Sequence, residues 1–487
     1  MRYLAALLCG ILLLQLGFVQ HPSLVLYGEN ILSSAGTLLT AAVFLAAVAH
    51  WLYQRGVDRI SLALFIAAGV VSLHYIHISD NAAYTNDVQA YVAHVIFVGE
   101  HWLDPYGYVG WGDHHPPLYF YLAAAVALAG HGFAKVSLLT VLRFFSWVAY
   151  LGFNAFGLLT LQRAGLKGRG YYACAALLLL WPGGLHMASK ISNEPLFYAC
   201  YAAAFYYAVR WYQEGSPRML WWAVGLAGLS LMVRGNAVIL FVLIALFLGV
   251  AWYQGKAYAA RLSRWQWASL ALWLALCVLI DSGKWLGWGP DQPQFASIME
   301  MNTFTDDGFC RGYQAIDEYL GYGDVYEYPL SHYLSFNYSL MLKQPFNDWA
   351  VNHSFWDYFL KSAIFGEYHW GWPDMAVLLD VLLTLMVVFT LLPWLVARRA
   401  EWHGMLPFVT GLLVPVMFLL AFMLLRSAPP GQDARYIYPA VVCFVAWFGR
   451  SHALFEQRGT AVLRIAGPVL AWTFVLAGVV FFWVQGR

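Results

Sequence analysis

The feature that most constrains this chain is an apolar run that keeps returning. Stretches of about 15 to 25 residues, the length a helix needs to cross the hydrocarbon of a bilayer, occur at 4–20, 31–53, 60–77, 138–162, 171–189, 195–213, 218–233, 236–252, 266–285, 374–396, 405–425, 436–449 and 464–485. Composition agrees, with 61% of the 487 residues hydrophobic and 11% charged, against roughly 25% charged in soluble proteins. The fold class read from this is an all-α polytopic membrane protein of about 13 transmembrane helices. The net charge of +1 carries no signal, and no basic patch invites nucleic acid. No repeat and no Pro/Gly/Ser linker divides the chain, so residues 1–487 read as a single integral membrane domain.

The order of basic residues orients the spans. If the N-terminus is cytoplasmic, the inside loops hold Arg55 and Arg59; Arg163, Lys167 and Arg169; Arg210 and Arg218; Lys256, Arg261 and Arg264; Arg398 and Arg399; and Arg450, Arg458 and Arg464, as the positive-inside rule requires. Counting "PPLYFYLAAAVALAG" as a further span would turn "QRAGLKGRG" outward, so it is read as a helix at or dipping into the outer interface. Arg2 and the run after it, with no small-residue cleavage pattern, read as a retained first helix. Two large outer regions follow, 78–137 and 286–373. Cys9, Cys174, Cys200, Cys277 and Cys443 lie in apolar runs and Cys310 in a loop, with no disulfide framework.

The first outer region holds "SDNAAYTNDVQAYVAHVIFVGEHWLDPYGYVGWGDHHPPLYFYLAA". Taken singly its acids suit a wet loop, but as a group they are out of proportion to the rest of the chain. Val88, Val92, Val95, Ile96 and Gly99 fall at helical spacing, with Asp87, Gln89, Tyr91 and His94 on the other side. That pattern predicts an amphipathic surface helix with Asp87 at its positive N-terminal end, where a carboxylate stays ionised and can serve as a general base.

These residues, with "SNEPLFYACYAAAFYYA", "GLAGLSLMVRGNAVIL" and "GQDARYIYPA" further on, resemble GT-C fold membrane glycosyltransferases, in particular those akin to glycosyltransferase family 39, such as protein O-mannosyltransferases and the lipid A aminoarabinose transferase. The resemblance covers most of the chain by order of elements, and its specificity rests on these short motifs. It implies an enzyme that moves a sugar from a polyprenyl-phosphate carrier to a protein, lipid or glycan acceptor, with inversion. The family's catalytic Asp maps onto Asp87 and its second acidic position onto Glu194. Many relatives carry Asp-Glu at the first site where Val88 follows Asp87 here, so Asp80 is a competitor for the base.

The chemistry holds together without the family. A sugar transferred outside the cytoplasm is best presented already attached to a lipid; an acceptor hydroxyl needs a base, and a phosphate leaving group needs fixed positive charge rather than a protonating acid. Arg234, at the tip of a hairpin of two short apolar helices, and Arg435, among turn residues, are the candidate donor contacts, Arg234 having interfacial snorkelling as its bland alternative. Tyr436, Lys190, His115, Gln89 and His94 complete the candidate substrate-binding set, with Lys190 equally suited to an ion pair with Glu194. The adjacent histidines of "DHHPP" do not have metal-ligand spacing. No cofactor is required, and a divalent ion between Asp87 and Glu194 stays possible but unneeded. Asp380, deep in "MAVLLDVLLTLMV", suits a helix-to-helix hydrogen bond.

The expected setting is therefore the inner (plasma) membrane, multi-pass, among membrane lipids and with the site facing the periplasm or outside. Two other classes stay open. A transporter or flippase would place ionisable groups near the midplane of repeated halves, and an O-antigen ligase or polymerase would use a diphosphate carrier with outer-loop Arg and His.

Overall fold

The structure, a computed structural model, describes residues 35–79, 88–102, 115–133, 136–256, 264–282, 355–366, 372–396, 399–425 and 433–485, with isolated positions between 334 and 342. Asp80, Asp87, the apolar run 4–20 and most of 286–373 lie outside the described residues.

Among the described residues the secondary structure is helical, without strands. In chain order the helices are α1 Ala35–Gln54, α2 Arg59–Ile78, α3 Val88–Glu100, α4 Leu118–Ala127 with a π-helical extension Leu128–Phe133, α5 Leu138–Arg163, α6 Gly168–Leu179, α7 Pro182–Ser189, α8 Glu194–Glu214, α9 Pro217–Val233, α10 Val238–Tyr253, α11 Arg264–Ser282, α12 Phe355–Phe365, α13 Pro373–Leu391, α14 Arg399–Leu425, α15 Val441–Arg458 and α16 Ala461–Gln485. A 3₁₀ segment Ala434–Ala440 leads into α15. Local chemistry sets the breaks. Asp58 caps α2 by accepting from the N–H groups of Ile60 and Ser61 at 2.9 and 3.1 Å, and Gly215 ends α8 in the left-handed region at φ 70°.

Eight helical stretches among the described residues are long and apolar enough to cross a membrane, so the chain is a multi-pass, all-α membrane protein. Of the remaining predicted runs, α1, α9 and α11 contain shorter apolar stretches, and α8 carries Glu194, Arg210 and Glu214. The reason α8 tolerates charge is its position. Both α5 and α9 pack along it, and most of its residues are buried in protein rather than turned to lipid.

The break between α7 and α8 governs the rest. Short α7 packs against α2, α5 and α12, and a Cβ at Gly184 would collide with the hydroxyls of Tyr150 and Tyr438. Only glycine lets α7 approach that closely. At the start of α7, Trp181 donates to the Ala363 carbonyl of α12 at 2.7 Å, and Ser362 of α12 accepts the Ala434 N–H at 2.9 Å. Thus α12 fixes the start of the 3₁₀ segment.

Asp380 on α13 is buried, as its sequence context required, and it interacts electrostatically with Lys361 of α12. Burial lowers the Lys361 ammonium below the usual lysine range, and the charges of Asp380 and Asp357 oppose that shift. Asp380 therefore acts across the helix-to-helix contact on a cation that its own sequence context does not reveal.

Candidate active site

Glu194 is the first residue of α8, and it collects positive charge from three directions. Lys190 Nζ lies 3.0 Å from Oε2, Arg234 Nη1 lies 3.0 Å from Oε1, and Arg435 Nε lies 3.7 Å from Oε1. All four side chains are largely buried. Ser192 adds a hydrogen bond to Oε2 at 3.3 Å. A carboxylate paired in this way binds a proton weakly. Glu194 is thus better suited to hold cations in place than to remove a proton.

Each cation arrives on a helix end. Lys190 caps the C-terminus of α7 in extended conformation, φ −77° and ψ 128°, four residues before Glu194, so the break between the two helices folds one side chain back over the other. Arg234 caps α9, also extended, before the 3₁₀ turn Gly235–Ala237 starts the return through α10. This is the hairpin tip read from the sequence. Arg435 lies in the 3₁₀ segment, where Asp433 accepts its backbone N–H at 2.8 Å and stands 3.6 Å from its Nε. Beneath both guanidinium groups lies Tyr436, its ring centroid 5.0 Å from Arg234 Cζ and 5.2 Å from Arg435 Cζ. Cation–π contact in a desolvated site adds to the ion pairing.

Asn193 ties the first acidic region to this cluster. Its Oδ1 accepts from Tyr91 Oη at 3.1 Å and from Arg234 Nη1 at 3.0 Å, while its Nδ2 donates to the Val233 carbonyl at 3.1 Å. Tyr91 belongs to α3, so the helix predicted from 88 onward stands beside the cations. Its faces need correction. Tyr91 and His94 were expected on the polar side, and the structure buries both along with Val95 and Val98, whereas Ile96 and Gly99 are exposed. The reason is aromatic packing: the Tyr91 and His94 rings stack on Phe120 of α4 with centroids 5.8 and 3.6 Å away.

Of the remaining candidates, His115 stacks on Tyr91 at 5.7 Å, one residue removed from the cluster. His94 is one aromatic layer further off, and Gln89 is exposed. Among the described residues no group of three His, Cys, Asp or Glu side chains gathers as a metal site would require. Sequence reasoning passed over Asn193, Asp433 and Tyr198, whose hydroxyl donates to the Arg435 carbonyl at 2.7 Å. For Asn193 and Asp433 the signal available was adjacency, since Asn193 precedes Glu194 and Asp433 stands two residues before Arg435.

No protein-family profile matches the chain. No curated protein matches it. Among solved structures it is similar to the crystal structure of ArnT from Cupriavidus metallidurans bound to undecaprenyl phosphate, with a TM-score of 0.45, 12% identity, and coverage of 87% of this chain and 76% of that one.

Proposed function

We propose that this chain is a glycosyltransferase of the GT-C type, transferring a sugar from a polyprenyl-phosphate-linked donor to an acceptor hydroxyl on the extracytoplasmic face, with inversion. The observation that carries the proposal is the buried meeting of Lys190, Arg234 and Arg435 on Glu194 at one end of the bundle. Three cations face two carboxylates, Glu194 and Asp433, so the cluster is left with a surplus positive charge suited to the single charge of a phosphodiester. Enclosed cations are costly unless they pair. Glu194 meets that need before the donor arrives, and the phosphate adds to it afterwards.

The reaction then divides between two groups of residues. A carboxylate of the first acidic stretch, Asp87 with Asp80 as the competitor, takes the proton as the acceptor oxygen attacks the anomeric carbon. The bond from that carbon to the carrier oxygen breaks, and its electron pair stays on the phosphate. As the phosphodiester becomes a monoester its negative charge grows, so Arg234, Arg435 and Lys190 hold the leaving group more strongly than the donor. That difference is what lowers a barrier. Arg163, Arg210 and Lys256, toward the other ends of α5, α8 and α10, favour the cytoplasm at that end under the positive-inside rule, which supports an extracytoplasmic site.

The test uses the full chain in nanodiscs. A polyprenyl monophosphate should bind the wild type, and Arg234→Gln and Arg435→Gln should each weaken binding about 10-fold or more, the equivalent of losing one charge-assisted hydrogen bond of roughly 1.5 to 3 kcal/mol. Wild-type affinity in both variants would overturn the reading.

A further inference from the structure

Another buried cation lies outside the cluster. Arg143, in the second turn of α5 and only 7% exposed, joins two helix ends that are distant in sequence. Its Nη2 donates to the hydroxyl of Ser79 at 2.6 Å and to the Ser79 carbonyl at 3.2 Å, and its Nε donates to the Ser189 carbonyl at 3.4 Å. Ser79 caps the C-terminus of α2 in extended conformation, and Ser189 is the last residue of α7. Helix C-termini leave carbonyls without partners and carry partial negative charge. One guanidinium therefore answers that need at two helices at once.

What each end leads to gives the clamp its significance. Ser189 precedes Lys190, whose ammonium meets Glu194, so the carbonyl held by Arg143 belongs to the root of the cation cluster. Beyond Ser79 the sequence runs directly into Asp80 and, seven residues later, Asp87. We propose that Arg143 is a positioning residue for transfer: its guanidinium fixes the end of α2, from which the sequence runs on to Asp80 and Asp87, relative to the root of Lys190. The inference rests on the function proposed above.

Two properties follow from the geometry. The contacts use Nε and Nη2, which lie on one edge of a rigid planar fork, so an ammonium on a flexible stem cannot hold both ends together. Arg234 and Arg435 are held independently, by Asn193 and Glu194 and by Asp433 and Tyr198. Lys190 keeps its ion pair with Glu194, so loss of Arg143 leaves the three cations paired while the end of α2 loosens against the end of α7. Misplacement by an ångström can reduce a rate by about 10²-fold without weakening ground-state binding.

The experiment compares Arg143→Gln, Arg143→Lys and Ser79→Ala in nanodiscs, measuring turnover of a polyprenyl-phosphate-linked sugar and, separately, affinity for a polyprenyl monophosphate, with Arg234→Gln as control. Turnover should fall roughly 10- to 100-fold in Arg143→Gln, should not recover in Arg143→Lys, and should fall less in Ser79→Ala, where the contacts to the Ser79 and Ser189 carbonyls survive. Affinity for the monophosphate should stay within about threefold in all three. Should Arg143→Gln misfold, Ser79→Ala and Arg143→Lys carry the same split between turnover and affinity. Full turnover in Arg143→Lys, or a loss of affinity that matches the loss of turnover, overturns the positioning role. Undiminished monophosphate binding in Arg234→Gln instead points at the phosphate site itself, so failure of the two readings can be told apart.

Discussion

Tyr91 donates its hydroxyl to Asn193 Oδ1 at 3.1 Å, across 102 residues of sequence. Through that contact α3 meets a residue that also holds Arg234 at 3.0 Å. Tyr91→Phe keeps the ring stacked on Phe120 and deletes only the hydrogen bond, so the protein should lose about 0.5 to 1.5 kcal/mol of stability. Asn193→Ala should cost more, because it removes partners from Tyr91, Arg234 and the buried Val233 carbonyl together. Denaturant or thermal unfolding in detergent checks the ranking, and equal losses would contradict the shared acceptor.

Glu194 offers a test of what holds the cations when no donor is present. Removing one partner of a buried ion pair costs about 3 to 5 kcal/mol, and Glu194→Gln strips the counter-charge from Lys190, Arg234 and Arg435 at once. The variant should therefore be much less stable than the wild type. Under the proposed function a bound polyprenyl phosphate restores negative charge at the same place, so the rise in melting temperature on adding it should be larger in Glu194→Gln than in the wild type. A smaller rise would mean that the phosphate does not sit among these cations.

How much of this was legible in the sequence follows from how rare charge is in the chain. Lys190, Glu194 and Arg234 could be picked out as charges at the ends of apolar runs, and Arg435 with Tyr436 as a cation and an aromatic among turn residues, and the structure brings these five together. Periodicity could not orient α3, since Val, Tyr and His occur around it and an aromatic face can be the buried one. Arg143 sits near the start of an apolar run, where snorkelling to the interface is a sufficient explanation until Ser79 and Ser189 are seen beside it. Nor could Asp380 be matched with Lys361, because the pairing depends on how α12 docks against α13 and α7.

Lys361 should matter for stability rather than for transfer. It is fully buried near Asp357 and Asp380, so Lys361→Ala leaves buried carboxylates without their cation and should cost about 3 to 5 kcal/mol. Replacing the pair together, Lys361→Met with Asp380→Leu, should recover part of that loss, since apolar substitutes for a buried ion pair are often neutral or better. Unfolding of the two single variants and the double variant gives the coupling energy directly. Additive losses would show that the two charges do not meet.

The base itself is tested by two changes outside the described residues. If Asp87 takes the acceptor proton, Asp87→Asn keeps shape and hydrogen-bonding capacity while deleting basicity, so turnover should fall by at least about 10²-fold. Affinity for a polyprenyl phosphate should survive, because the cations proposed to bind it are held by Glu194, Asn193 and Asp433. Asp80→Asn should be milder, since on this assignment Asp80 helps to orient the acceptor and takes no proton. Reversal of the two effects would move the base seven residues back, next to Ser79 and therefore to the end of α2 that Arg143 holds. Full activity in both would remove the carboxylate from the mechanism, and the cation cluster would then have to be explained by binding of the phosphate alone.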